Sequence, residues 1–260
     1  MISAFDNVKI TDKNLSLALE LFKNWNYEMD SQSQTPTIYT RYFQYLIKNI
    51  LEDEMGKDLL KEYLFIANVP YRIIPEMLAE NRSAFFDDIN TPQIEMRDEI
   101  IRKSLVDALS DLEKKYGKDI RNWQWGKIHK VTFMHMFHNS SPLLDKIINI
   151  GPFEIGGDGT TVFNTEYSFP ELFEDDQDAT KPHRSEPYSN ILGPSMRYIF
   201  DFGDPGHLEF ILPTGQSGHF MSDHYKDMST LWLKGKYIKI PLEEDEFIRT
   251  SKNLLRLLPE

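Results

Sequence analysis

The chain has 260 residues, 40% of them hydrophobic, with no cysteine, and 29 Lys+Arg against 41 Asp+Glu leave a net charge of −12. A chain this long hides roughly 70–75% of the surface it would expose unfolded, so it can hold a core without disulfides or a structural metal; lacking Cys, it has no thiolate zinc site and no cysteine nucleophile. The acidic balance opposes a nucleic-acid partner, whose phosphates are met by Lys and Arg.

In chain order, Leu15, Leu19 and Phe22 share one helical face, and Ala18, Leu21 and Trp25 make a second row, which predicts a helix over residues 11–25 capped by Thr11 or Asp12. A polar loop follows to Thr35. Pro36 then stands where a first helical turn tolerates it, and Tyr39, Phe43, Leu46 and Ile50 carry the apolar face of a second helix. Residues 57–67 and 71–81 read as shorter helical pieces separated by Val69-Pro70, since proline biases its predecessor away from helix. A long helix over residues 93–116 presents Ile101, Leu105, Ala108 and Leu112 on one face, with Gly117 as its stop.

Beyond Gly117 the period changes from helical to alternating. Val131, Phe133 and His135 alternate with polar or smaller neighbours, and so do Met196, Tyr198, Phe200 and Phe202, which predicts strands. Gly203-Asp204-Pro205-Gly206 punctuates before a further strand over residues 208–212, so that pair reads as a hairpin. Between them, residues 165–193 carry Glu171, Glu174, Asp175, Asp176 and Asp178 among several prolines and read as a long acidic surface loop. The predicted class is α+β, with a mainly helical part over 1–117 and a mainly strand part over 118–260, forming one segment rather than two independent domains. No stretch approaches the roughly 18–20 consecutive apolar residues of a membrane span, and residues 1–6 have neither the basic nor the apolar region of a secretory signal.

Reactive constellations are incomplete. Ser217, in Thr214-Gly215-Gln216-Ser217-Gly218-His219, lacks the glycines two before and two after that a nucleophile elbow requires, so the segment reads as a glycine turn. The histidines 129, 135, 138, 183, 207, 219 and 224 show no metal-ligand spacing, and imidazoles satisfied by backbone or solvent are expected. Gly156-Gly157-Asp158-Gly159 has no trailing Lys-Ser/Thr of a P-loop and runs into Thr160-Thr161-Val162-Phe163, which favours strand; a tight turn between strands is expected. Acidic pairs are plentiful, and a glycosidase couple is defined by spacing in three dimensions rather than in sequence. Trp123, Trp125 and Trp232 read as packing residues.

Several segments, in order, carry a resemblance. They are residues 18–26 through Met29-Asp30, Ile38-Tyr39, residues 112–117, and Trp123-Gln124-Trp125-Gly126-Lys127-Ile128-His129. Gly156-Gly157-Asp158-Gly159-Thr160, Gly193-Pro194-Ser195-Met196-Arg197, and the run from Pro213 through His219, Tyr225 and Asp227 to Trp232 and Gly235 complete the set. Together they resemble the C-terminal part of the β chain in the penicillin acylase family, the autoprocessed N-terminal-nucleophile amidohydrolases that also include acyl-homoserine-lactone and cephalosporin acylases.

That resemblance implies part of a four-layer αββα sandwich and an enzyme that cleaves acyl amides such as β-lactam or acyl-homoserine-lactone side chains. It implies a serine at the start of the β chain, whose own α-amino group is the base, with an asparagine and a backbone amide as oxyanion donors. Those positions lie upstream of the resembling stretch: Ser3 follows Met1-Ile2 outside any processing motif, and Asn24 does not match the oxyanion asparagine. The expectation is therefore a scaffold piece, inactive alone, with no catalytic, cofactor-binding or metal residue of its own. Trp123, Trp125, Gly215, Gln216, Ser217 and Tyr225 are given packing or turn duties. Calcium would belong to the full-length enzyme, and the partner would be the rest of the precursor, its α chain and the first half of its β chain. The fragment could also self-associate, and a periplasmic or secreted parent is implied. The alternative is a stand-alone, non-catalytic interaction module that keeps the acylase fold.

Overall fold

The computed structural model of the chain describes residues 1–64, 68–81, 83–168 and 187–252. It is a mixed α and β structure, 46% helix and 12% strand. Two compact units form, one from Met1–Val131 with Phe153–Leu192 and the other from Thr132–Pro152 with Gly193–Glu260. Among the described residues no helix is long and apolar enough to cross a membrane.

The first unit is built on helices. Helix α1 (Lys13–Lys23) starts at Asp12, whose carboxylate accepts the Leu15 amide at 2.7 Å, and it buries Ala18, Leu19 and Phe22, the faces expected from their spacing. Helix α2 (Thr35–Leu64) carries Pro36 in its first turn and is broken at Gly56, whose φ of 71° and ψ of 165° leave the helical region. The break separates the amphipathic helix of Tyr39, Phe43, Leu46 and Ile50 from the piece beginning at Lys57, as the patterning suggested. Helix α3 (Asn68–Glu80) corrects the expectation at Val69-Pro70: both residues lie inside its first turn. A proline there lacks only an amide that would have had no intrahelical partner anyway.

Helix α4 (Arg97–Tyr116) begins later than its apolar pattern suggested, with the Glu99 carboxylate accepting the Met96 amide at 2.9 Å, and ends at Gly117 with φ 85°. Ile101, Leu105, Ala108 and Leu112 are buried, and α4 packs along α2 in the most extensive helix pairing among the described residues. Polar contacts cross the same seam. Arg41 Nε donates to Asp111 at 2.7 Å, and Asn49 Nδ2 donates to Ser104 Oγ at 3.1 Å and to Asp107 at 3.0 Å. A short helix α5 (Trp125–Ile128) follows. Strands β1 (Lys130–Phe133) and β2 (Ile150–Glu154) pair as a two-stranded sheet.

Helix α6 (Pro142–Ile148) is capped by Ser141, whose hydroxyl accepts the Leu144 amide. Strands β3 (Glu166–Tyr167) and β4 (Asn190–Leu192) pair antiparallel, so both ends of the expected loop 165–193 are tied down; the acidic run from Glu171 to Asp178, and His183, lie outside the described residues. The segment 160–163 is not a strand: it is a turn with Val162 fully exposed, because Asp158 takes the Thr160 amide at 2.7 Å and the Thr160 hydroxyl at 2.8 Å and folds the chain back locally.

In the second unit, β5 (Arg197–Ile199) and β6 (His207–Ile211) form the expected hairpin, and β7 (Ile238–Pro241) adds to β6, giving the order β5-β6-β7. The register pairs Tyr198 with Phe210 and Phe210 with Ile238, and sets Arg197 opposite Ile211. Strand β5 stops before Phe200 and Phe202, which run into the turn. Helices α7 (Ser229–Leu233) and α8 (Glu244–Thr250) complete this unit.

The α2–α4 seam carries the stability of the first unit. Leu105→Ala, at a fully buried position, is expected to cost about 2–5 kcal/mol through lost burial and an unfilled cavity, read as a lower urea midpoint by circular dichroism.

Candidate functional site

A buried polar cluster of the first unit surrounds His129. The indole ring of Trp125 stacks on its imidazole at 4.6 Å, and Tyr167 and Tyr188 meet Trp125 edge-on. Trp125 Nε1 donates to the Gly157 carbonyl at 2.9 Å, and Trp123 Nε1 donates to that of Gly117 at 2.9 Å; both indoles are fully buried, in keeping with the packing duty expected of them. Backbone fixes the cluster in place. The Trp125 amide donates to Ser33 O at 2.9 Å, the Gly126 amide to Ser31 O at 2.7 Å, and the Gly157 amide to Met29 O at 2.8 Å.

Glycine is required at these approaches. A Cβ on Gly156 would lie 2.5 Å from Met29 O, and one on Gly157, whose φ is 80°, would lie 2.3 Å from Phe163 O. The Gly156-Gly157-Asp158-Gly159 run is thus the expected tight turn, held by three hydrogen bonds to Asp158 and Thr161 and by the Thr165 amide on Asp158 O at 3.1 Å.

Around His129 the hydrogen bonds form a continuous path. Its Nδ1 lies 2.7 Å from the Tyr188 carbonyl, which can only accept, so Nδ1 carries a proton; Nε2 faces Thr165 Oγ1 at 3.0 Å. Thr165 Oγ1 also lies 2.9 Å from the Gly156 carbonyl, so with neutral His129 one hydroxyl proton serves two acceptors. From Tyr188 the hydroxyl donates to Gln44 Oε1 at 3.0 Å, and Gln44 Oε1 accepts from Arg41, which binds Asp111. Burial pushes the His129 pKa down to about 4 and raises those of the Tyr167 and Tyr188 phenols. A neutral imidazole buried in this way is a structural element rather than a general base. Among the seven histidines, sequence spacing did not single it out; its signal was the Trp125-to-His129 spacing of one helical turn.

In the second unit, Ser217 is not activated. Its Oγ accepts the His219 amide at 3.1 Å, while His224 Nδ1 is tied to Asp227 at 2.8 Å; among the described residues no histidine ring bonds the Ser217 hydroxyl. The turn exists for another reason. A Cβ on Gly215 would lie 2.0 Å from the His224 carbonyl, and the Ser217 amide donates to that same carbonyl at 3.1 Å. The Tyr225 hydroxyl donates to Ile148 O, and His135 Nε2 contacts Gly218 O at 3.1 Å.

One carboxyl escaped the sequence reading. Burial, and then the neighbouring Asp53 carboxyl, raise Glu54 to about 7, in a run Glu52-Asp53-Glu54 that could have flagged like-charge crowding. Glu54 is an exposed residue, so it does not supply the enclosed acid of a glycosidase couple. Among the described residues no group of three or more His, Asp or Glu is placed to hold a metal ion.

Gly215→Ala is expected to lower the thermal midpoint by an amount equivalent to about 1–3 kcal/mol through overpacking against backbone, whereas Gly218→Ala, with open space at its Cβ, leaves it unchanged; differential scanning calorimetry of the two variants compares them. For His129 the folded pKa, about 4, lies below the ordinary 6.5. Stability is therefore complete above pH 6.5 and is lost as pH falls through about 4, with a slope of at most about 1.4 kcal/mol per pH unit. Urea midpoints between pH 7.5 and 4.5 should show that limb, and His129→Gln should flatten it.

A family profile described as penicillin amidase matches residues 2–249. The acyl-homoserine lactone acylase QuiP of Pseudomonas fluorescens (strain Pf0-1) is 31% identical over 237 residues, covering 89% of this chain and 26% of that protein. Penicillin acylase 2 proenzyme of Pseudomonas sp. (strain SE83) is 27% identical over 126 residues, covering 48% of this chain and 14% of that protein. A solved structure, the thermostable penicillin G acylase from Alcaligenes faecalis, superposes with a TM-score of 0.49 at 13% identity, covering 100% of this chain and 45% of that one. The chain spans about a quarter of the length of the Pseudomonas fluorescens relative. With the profile running over nearly the whole sequence, the chain belongs to the penicillin amidase family.

Proposed function

We propose that this chain is a scaffold part of an acylase that hydrolyses the amide between an acyl group and an amine, and that the reacting nucleophile is supplied by acylase polypeptide outside these residues. The observation that carries this reading is the family match over residues 2–249 combined with a span of about a quarter of a relative's length. The acyl-homoserine lactone amide is the favoured substrate, because the relatives matching over most of this chain carry that activity in their names. In such a reaction a hydroxyl adds to the acyl carbon, the C–N bond breaks as the amine leaves with a proton, and water then releases the acid.

The contribution of this chain is rigidity. The backbone ties of Met29, Ser31 and Ser33 to Gly157, Gly126 and Trp125 fix a framework against which an αββα sandwich would be assembled, and precise support of this kind is what holds a reacting group in place. Among the described residues no histidine ring bonds the Ser217 hydroxyl, and His129 is buried. Both features support inactivity of the chain by itself. Calcium, where the enzyme uses it, and export to the periplasm or medium belong to the whole acylase in this reading.

Two measurements test it. The isolated chain, incubated with N-acyl-homoserine lactones and with penicillin G, is expected to release no amine; turnover would place the nucleophile within these 260 residues and refute the reading. A chimera of the Pseudomonas fluorescens acylase, with its 237-residue matching stretch replaced by this chain, is expected to hydrolyse N-acyl-homoserine lactones. A folded chimera without activity would count against the scaffold role.

A further inference from the structure

Three histidines of the second unit each hold a neighbouring N–H at Nδ1, which a ring can do only while it is neutral. Two of them repeat one motif. His135 Nδ1 accepts the Phe137 amide at 3.1 Å, and its carbonyl accepts the His138 amide at 2.8 Å; His219 Nδ1 accepts the Met221 amide at 3.2 Å, and its carbonyl accepts the Ser222 amide at 2.9 Å. A backbone amide only donates, so Nδ1 of neither ring carries a proton. The proton of His135 therefore sits on Nε2, which meets the Gly218 carbonyl at 3.1 Å. For His138 the assignment comes from Asn149. Its Oδ1 accepts the His135 amide at 3.0 Å, which leaves its Nδ2 as the atom that donates to His138 Nδ1 at 2.9 Å. His207 and His224 are built the other way, with Nδ1 against Asp204 at 3.0 Å and Asp227 at 2.8 Å, contacts that a second proton strengthens.

We propose that His135, His138 and His219 form an acid-operated switch: neutral, they close the turns at 135–138 and 219–222, and a second proton at Nδ1 expels the N–H held there and loosens both turns. Donor then faces donor at each of the three contacts. At His138 the new N–H has an acceptor in Asp145 Oδ1, 3.5 Å away, so the ring gains by turning from Asn149. Asn149 also caps the His135 amide, so a proton on either ring weakens the same turn. Few ionisable groups stand against these rings. Helix α6 brings Asp145, and the segment of His219 brings the Tyr225 ring to 6.2 Å from His135. That segment also carries Asp223, Lys226 and the His224–Asp227 pair, but among the described residues Asp145 is the one carboxylate within ion-pair distance of the three rings. The turns display Met136, Phe137 and Met221, which are 84, 58 and 76% exposed, so the proton governs how apolar tips are presented. The Nε2–H of His135 serves the Gly218 carbonyl in both states and keeps the two loops together while their tips change.

Backbone and ring NMR of the chain through an acid titration tests the switch. The Phe137 and Met221 amides are expected to shift, and to exchange with water at least several-fold faster after correction for the intrinsic pH dependence of exchange. Each should do so with the midpoint of the ring that it contacts, read from that ring's Cε1–H signal, and the Asn149 side-chain amide should follow His138. His135→Asn supplies an oxygen that accepts the amide two residues on whatever the pH. It should hold the Phe137 signals steady through the titration and leave the Met221 response in place. Amides that stay fixed while the rings charge overturn the proposal, as do amides that move with a midpoint other than their ring's. Rings that gain no second proton before circular dichroism shows the chain unfolding also overturn it, and so does a Phe137 response that persists in folded His135→Asn. Should that variant not fold, the titration of the unsubstituted chain decides by itself.

Discussion

Close backbone approach at glycine is the constraint on which the first unit depends. The carbonyls of Met29, Ser31 and Ser33 accept from the amides of Gly157, Gly126 and Trp125 at 2.7–2.9 Å, and a Cβ at Gly126 or Gly156 would lie within 3 Å of that stretch. Only residues without a side chain let three separate segments meet through their main chains. Once they meet, Trp125 is committed to the interior, His129 stacks one turn later, and the imidazole finds its partners in Tyr188 and Thr165. The polar path from Asp111 through Arg41, Gln44 and Tyr188 to His129 runs through this packed region. Its links join distant segments through buried hydrogen bonds, and a buried polar network of this kind specifies which segments meet.

The two units differ in how their apolar surface is used. Every member of the main core cluster lies in the first unit, where helices α2 and α4 supply long complementary faces. The second unit buries Ile148, Ile150, Ile211, Tyr225 and Trp232 but leaves Met136, Phe202 and Met221 more than three-quarters exposed. Its short strands do not enclose a volume by themselves. The hydrophobic effect rewards area removed from water and is indifferent to which polypeptide removes it, so a unit of this kind is stable in proportion to what it is joined to.

Local rules made much of the helical part legible. The face Ile101, Leu105, Ala108 and Leu112, the Asp12 cap and the Gly117 stop each depend on neighbours within a turn, and sequence exposes those directly. Val69-Pro70 misled because proline both ends and begins helices, and which it does depends on the chain that precedes it. The β propensity of residues 160–163 was overridden by one buried carboxylate, Asp158, whose hydrogen bonds turned the chain before a partner strand could be reached. Motif glycines were visible as glycines, but the reason for them was not, because the clashing atoms of Met29 and His224 stand far away in sequence or on the opposite side of a turn. His129 was hidden for the same reason: its environment is assembled from positions up to 59 residues apart.

The polar contacts that cross the α2–α4 seam have a further effect. Aliphatic faces tolerate sliding, since a helix displaced by one turn, about 5.4 Å, still presents leucine to leucine. Arg41 opposite Asp111 and Asn49 opposite Ser104 and Asp107 act as two marks on a vernier, set at separate points along antiparallel rods. A slip of one turn would break the ion pair and the amide's two hydrogen bonds at once. The seam therefore behaves as a keyed joint with a single seating, and the residues that make it so are the ones that add least to its grip.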